Sequence, residues 1–86
     1  MKNEAINNLY DAGNTIREKI GEKAIKVQVW ELSNSVKSND MNQFMNKAMT
    51  LHARYGLSMP PELLKAKENT DLAQAFVMGM LGEKRN

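Results

Sequence analysis

Residues 22–37 read EKAIKVQVWELSNSVK, and their spacing decides the fold. Ile25, Val29, Leu32 and Val36 recur at steps of four, three and four. At 100° per residue these positions fall within an arc of about 60° on a helix. Val27 lies off that stripe and is β-branched, so Gln28-Val29-Trp30 taken alone has the local look of a strand. Correct helical spacing on both sides outweighs it and predicts one helix through the segment.

The same period extends in both directions. Upstream, residues 3–20 carry Ala5, Ile6, Leu9, Ala12, Gly13, Ile16 and Ile20 on one stripe, while Glu4, Asp11 and Glu18 mark a solvated acidic face. Gly21 is placed to end this first helix. Downstream, Ser38-Asn39-Asp40 forms a turn into a third helix over residues 41–55. Asp40 with Gln43 three positions on makes a capping-box pattern, whose carboxylate takes up free backbone N–H groups. The apolar stripe of this helix is Met41, Phe44, Met45, Ala48, Leu51, His52 and Tyr55, and Gly56 ends it. Pro60 and Pro61 bar a continuing helix but suit the first turn of a new one, a short helix over residues 61–67. Asn69 or Thr70 caps a last helix that reaches Leu81 and stops at Gly82. Five helices with short connections predict an all-α fold, a compact antiparallel bundle of about five short helices forming a single domain over residues 1–86.

Composition excludes several classes. The 86 residues contain no cysteine, so there is no disulfide framework and no thiolate metal site. Apolar residues are 42% of the chain, and 12 Lys+Arg nearly balance 10 Asp+Glu, which excludes a charge-driven disordered chain. No apolar run approaches the roughly 20 residues that span a bilayer. MKNEAINNLYDAG is too polar for a secretory signal, so a cytoplasmic protein without membrane contact is expected. There is no glycine-rich phosphate loop, no His-x-x-x-His and no nucleophile motif. His52 is the only histidine and falls on the buried edge of its helix, the position of a hydrogen-bonded core residue. Neither catalysis nor a cofactor is expected.

Two basic faces remain. Lys23, Lys26, Trp30 and Lys37 lie within an arc of about 60°, opposite the apolar stripe of their helix. A lysine stripe with one aromatic in it can follow a nucleic-acid backbone while the ring stacks on an unpaired base. On the third helix Gln43, Lys47, Thr50 and Arg54 repeat the pattern more weakly. Ordinary solvated faces, with Trp30 packed on a neighbouring helix, are the alternative. The last helix is apolar nearly all round, with Leu72, Ala75, Phe76 and Gly79 on one side and Val77, Met78 and Leu81 on another. Such a helix is covered on both sides. Either it fills the bundle core, or Leu72, Phe76, Val77, Met78, Gly79 and Leu81 include a face that meets another subunit. Ala75 and Gly79, four apart, permit close helix approach in either case.

Taken in order, these residues resemble the C-terminal helical region of the large subunit of type I-B-like CRISPR Cascade complexes. The resemblance rests on Tyr10, Gly13 and Ile16-Arg17, on Trp30, Leu32, Asn34 and Lys37, on Phe44-Met45 and the glycine–proline turn, and on Ala75, Phe76, Gly79, Leu81 and Gly82. It covers nearly the whole chain, from about Leu9 to Glu83. In that family the same stretch is also made separately, as a small subunit from an internal start codon, and a chain beginning at Met1 looks like that product. The resemblance implies a non-enzymatic helical subunit, present in several copies beside the large and backbone subunits. It would help to hold the guide RNA–target DNA hybrid and the displaced non-target strand, while a recruited nuclease-helicase cuts. Arg17 joins the basic candidates on the strength of the isoleucine-arginine start. Trp30 stands where tyrosine is more usual, and Ser33 and Ser35 replace apolar residues, which predicts a narrower buried stripe on the second helix. Two alternatives stand beside this reading. One is a structural adaptor that docks through its last helix. The other is a small helix-turn-helix regulator of duplex DNA, with Asn42, Gln43 and Asn46 starting its second helix.

Overall fold

The computed structural model describes residues 2–83, with side chains from Glu4 to Glu83. Five helices account for most of it: α1 (Lys2–Ile20), α2 (Glu22–Lys37), α3 (Met41–Arg54), α4 (Pro61–Lys65) and α5 (Thr70–Met80). Among the described residues there is no strand. The expected all-α bundle is what forms, and α2 runs unbroken through Val27. The differences lie at the ends. α3 and α5 each stop one residue early because Tyr55 and Leu81 serve as C-caps. α4 ends at Lys65 rather than Lys67, and the next residues tighten into turns through Glu68 N–H to Lys65 O (3.0 Å) and Asn69 N–H to Ala66 O (3.3 Å).

Three helices terminate by one device. After α2, Asn39 turns left-handed (φ +58°), its N–H donates to Val36 O (3.0 Å), and the Asp40 N–H donates to Ser35 O (2.8 Å). After α3, Gly56 and Leu57 donate to Ala53 O and His52 O. After α5, Gly82 and Glu83 donate to Gly79 O and Met78 O. This paired closure satisfies carbonyls that would otherwise lack partners, and its left-handed residue is why asparagine or glycine stands at each end.

The closure after α2 also alters the capping box. The Asp40 side chain accepts from the Gln43 backbone N–H (3.1 Å), as expected. Gln43 makes no return bond, because the Asp40 N–H already donates to Ser35. Its side chain turns to the Ser35 hydroxyl instead, 3.0 Å away. Ser35 Oγ also lies 3.2 Å from Glu31 O. The Ser35 hydroxyl has one proton, which it donates either to Gln43 Oε1 or to Glu31 O. The expected narrowing of the stripe is thereby corrected at Ser35, which is buried with its polar atom partnered. Removing the cap by Asp40→Ala is expected to cost about 1 kcal/mol. A thermal melt followed by circular dichroism should then fall by about 4–8 °C, the change expected per kcal/mol for a domain of this size.

α5 is the central element: it lies along α1 and also packs on α2 and α4. Its close approach to α1 is set by two glycines. A Cβ at Gly79 would land on the carbonyl oxygen of Tyr10 and 2.9 Å from its carbonyl carbon. A Cβ at Gly13 would land on the carbonyl oxygen of Phe76 and 2.7 Å from the backbone nitrogen of Met80. Around this crossing are packed Leu9 and Ile16 of α1, Ile25 and Leu32 of α2, Phe44 and Leu51 of α3 and Leu63 of α4. Phe76 stands at the centre, edge-on to Phe44 (centroids 6.2 Å apart) and stacked on His52 (5.8 Å). His52 is buried as its spacing predicts, and its Nδ1–H donates to Ala48 O (2.8 Å).

This packing takes part of the expected docking face on α5 into the core. Leu72, Phe76 and Gly79 are buried against the chain's own helices, whereas Val77, although buried, lines a small open groove of about 220 Å³ with Met78, Leu81 and Val36. Met78 is half-buried, with its Sδ accepting from the Tyr10 hydroxyl (3.5 Å). Of the six residues only Leu81 is exposed. A helix apolar all round is here a helix surrounded by its own fold.

α4 is tied to α1 by Asn8 Nδ2, which donates to Glu62 Oε2 at 2.7 Å. That bond, helped by a backbone N–H and by Lys65, holds the Glu62 carboxyl below the ordinary carboxylate range. A carboxyl whose pKa is lower folded than unfolded stabilises the fold above the unfolded value. Its contribution fades as pH falls through the lowered one.

Candidate nucleic-acid interface

α2 presents its outer face beside the end of α1 and the last turn of α5, and an open groove of about 800 Å³ lies along it. Lys23, Lys26, Trp30 and Lys37 all line this groove, as the helical arc predicts, and all four are exposed. The floor is apolar, from the flanks of Ile25 and Val29, so the basic arc adjoins the apolar stripe instead of lying opposite it: at 100° per residue their centres are about 120° apart. Trp30 is 67% exposed, so it is not the packed core tryptophan of the alternative reading.

Arg17 reaches the same groove in a different role. Its Nη1 donates to Met80 O (3.2 Å), and its Nη2 pairs with Glu22 Oε1 (3.2 Å). The guanidinium thus satisfies a carbonyl at the negative end of α5 and draws Glu22 to itself. Glu22 is the one carboxylate lining the groove, and its ion pair is with Arg17 rather than with any of the three lysines. Among the described residues, Lys23, Lys26 and Lys37 form no ion pair. Three like charges on one helix face repel one another, mildly in salt.

The second basic face is largely occupied by internal contacts. Lys47 Nζ pairs with Glu31 Oε1 across α2 and α3 (3.4 Å), and Thr50 donates to Asn46 O (2.8 Å). Gln43 remains exposed, but its side chain is engaged by the Ser35 hydroxyl. Arg54 alone of the four keeps an exposed side chain without a partner among the described residues, in a separate, smaller groove with Lys47. The seven basic and aromatic candidates therefore divide into two places, five in the α2 groove and two in the α2–α3 groove.

Sequence reasoning missed two features of the α2 groove. Asn34 lines it one turn beyond Trp30, and the step of four on the same face was the signal for it. Leu81 closes the other side, 51% exposed. It arrives from the C-terminal end of α5, and no local pattern in the sequence joins it to α2.

Fold and groove together define a class only by shape and charge: a small helical module with an exposed cationic face that carries one aromatic ring. No protein-family model, no curated protein and no solved structure matches this chain.

Proposed function

We propose that this chain is a non-catalytic small subunit of a Cascade-type CRISPR RNA-guided DNA surveillance complex. In this role it works in the cytoplasm beside the large and backbone subunits and further copies of itself. It supports the guide RNA–target DNA hybrid and the displaced strand through sequence-independent contacts. The observation that carries the reading is the α2 groove, where three unpaired lysines and an exposed tryptophan line one open channel. The resemblance in sequence supplies the setting.

The physical demands of that role are modest and fit what the groove offers. Base pairing with the guide reads the sequence, and opening the duplex is nearly balanced in free energy, so contacts to the backbone tip it. Such contacts need cations free of internal partners and no base-reading motif. A net charge of +2 is small for one nucleic-acid-binding chain. Several copies in a row would repeat the groove and make the charge additive.

The test is R-loop formation by the assembled complex across a salt series, with the parent chain and with Lys23→Ala, Lys26→Ala and Lys37→Ala combined. All three side chains are exposed, so the fold should be unaffected. Weaker R-loop formation with a reduced dependence on salt is expected. Unchanged affinity and unchanged salt dependence would remove this face from the function.

A further inference from the structure

We infer that Trp30 makes the α2 groove selective for single-stranded over duplex nucleic acid, by stacking on one unpaired base. This rests on the reading of the groove as a nucleic-acid site and adds what form of strand it takes.

Three observations converge on it. Trp30 leaves two-thirds of its surface in solvent, and among the described residues its ring pairs with no other aromatic. Leu81, also half exposed, lines the same groove and gives a second apolar surface beside the lysines. Finally, the lysines flank the ring on both sides along one line. At 1.5 Å per residue Lys26 and Lys23 lie about 6 and 10 Å before Trp30 along the helix, and Lys37 lies about 10 Å after it. An extended strand carries phosphates on either side of each base and fits that order of cation, ring and cation.

A duplex fits it less well. Its bases are paired and stacked inside, so the ring meets them only after one is unstacked. The lysines would still meet phosphates, since electrostatic attraction to the backbone is indifferent to strand form. Charge therefore sets how strongly nucleic acid is held in general, and the tryptophan sets the preference between forms.

Trp30 is the only tryptophan in the chain, so its fluorescence reports on this groove alone. The purified chain is titrated at low salt with a 20-nucleotide oligo-dT, a 20-nucleotide oligo-rU, a 20-base-pair blunt duplex and an oligo-glutamate peptide. Binding is followed by Trp30 quenching and independently by anisotropy of the labelled probe. Both single strands should quench the emission and bind more tightly than the duplex. Trp30→Ala should weaken single-strand binding by about 5- to 150-fold, the range of one base–aromatic stack, while the salt dependence stays the same. Trp30→Phe should restore most of the preference.

Equal affinity for single strand and duplex, or a Trp30→Ala variant with the parent's preference, would overturn the inference and leave the lysine contacts standing. Tight binding and quenching by oligo-glutamate would overturn it too, showing that the groove answers to charge alone. Failure to bind any nucleic acid at low salt would remove the proposed function along with it.

Discussion

Gly79→Leu is expected to abolish folding of the isolated chain, and Gly79→Ala or Gly13→Ala, at the upper end of the overpacking cost, to lower its melting temperature by about 8–16 °C. At Gly79 the first carbon of any side chain collides with the backbone of Tyr10, and at Gly13 with the backbone of α5. A flexible side chain can turn away from a clash, but a helical backbone moves only as a whole. Overpacking of a well-filled core costs about 1–3 kcal/mol, with more when backbones are forced apart. The gain in helix propensity from Gly to Ala, about 1 kcal/mol, offsets only part of this. At about 4–8 °C per kcal/mol the melts should separate clearly. A Gly79→Leu chain that melts like its parent would mean that α1 and α5 do not meet here, and would reopen the last helix as a docking surface.

Phe76→Ala is the second large effect, expected at about 3–5 kcal/mol. The side chain is fully buried at the meeting point of α3 and α5, so its removal leaves a cavity and strips both Phe44 and His52 of their ring partner. Each aromatic pair is worth about 0.5–1.5 kcal/mol beyond the area it buries. Phe76→Leu, which keeps most of the volume, should lose markedly less. Against a total stability of about 5–15 kcal/mol for a native domain, the alanine variant should sit near the edge of folding in urea titrations. A loss below about 1 kcal/mol would be that of an ordinary substitution and would contradict a central place for Phe76.

These two variants mark where the sequence was legible and where it was not. Periodicity alone placed α1, α2 and α3, because each has one buried stripe and one solvated face. Turn residues located the ends at Gly56, Gly82 and Ser38-Asn39-Asp40, where the left-handed position takes glycine or, in the last case, Asn39. α5 resisted the same treatment. A helix buried on every side has no stripe to read, and whether its cover is the chain itself or a partner depends on where the other helices go. Gly13 fell on the correct face of α1, yet its pairing with the chain near Gly79 joins segments more than sixty residues apart.

The candidate site divides in the same manner. Lys23, Lys26, Trp30 and Lys37 belong to one helix, and their shared face followed from 100° per residue. The internal engagement of Arg17 and Lys47 did not, because their partners come from other elements: the end of α5 and Glu22 for the first, Glu31 for the second. Charge counts along a chain give no hint of which cations the fold itself will take up. Here it takes up Arg17 and Lys47 and leaves the three lysines of the α2 groove unpaired.

The most direct check of those free cations is the slope of log K against log salt concentration for a single-stranded oligonucleotide. It should be measured with the purified chain and with the chain bearing Lys23→Ala, Lys26→Ala and Lys37→Ala. At roughly 0.7 per phosphate contact on a single strand, loss of three contacts should make the slope shallower by about 2. A triple variant with the parent's slope would mean that these lysines touch no phosphate, and that the groove along α2 is a solvated surface.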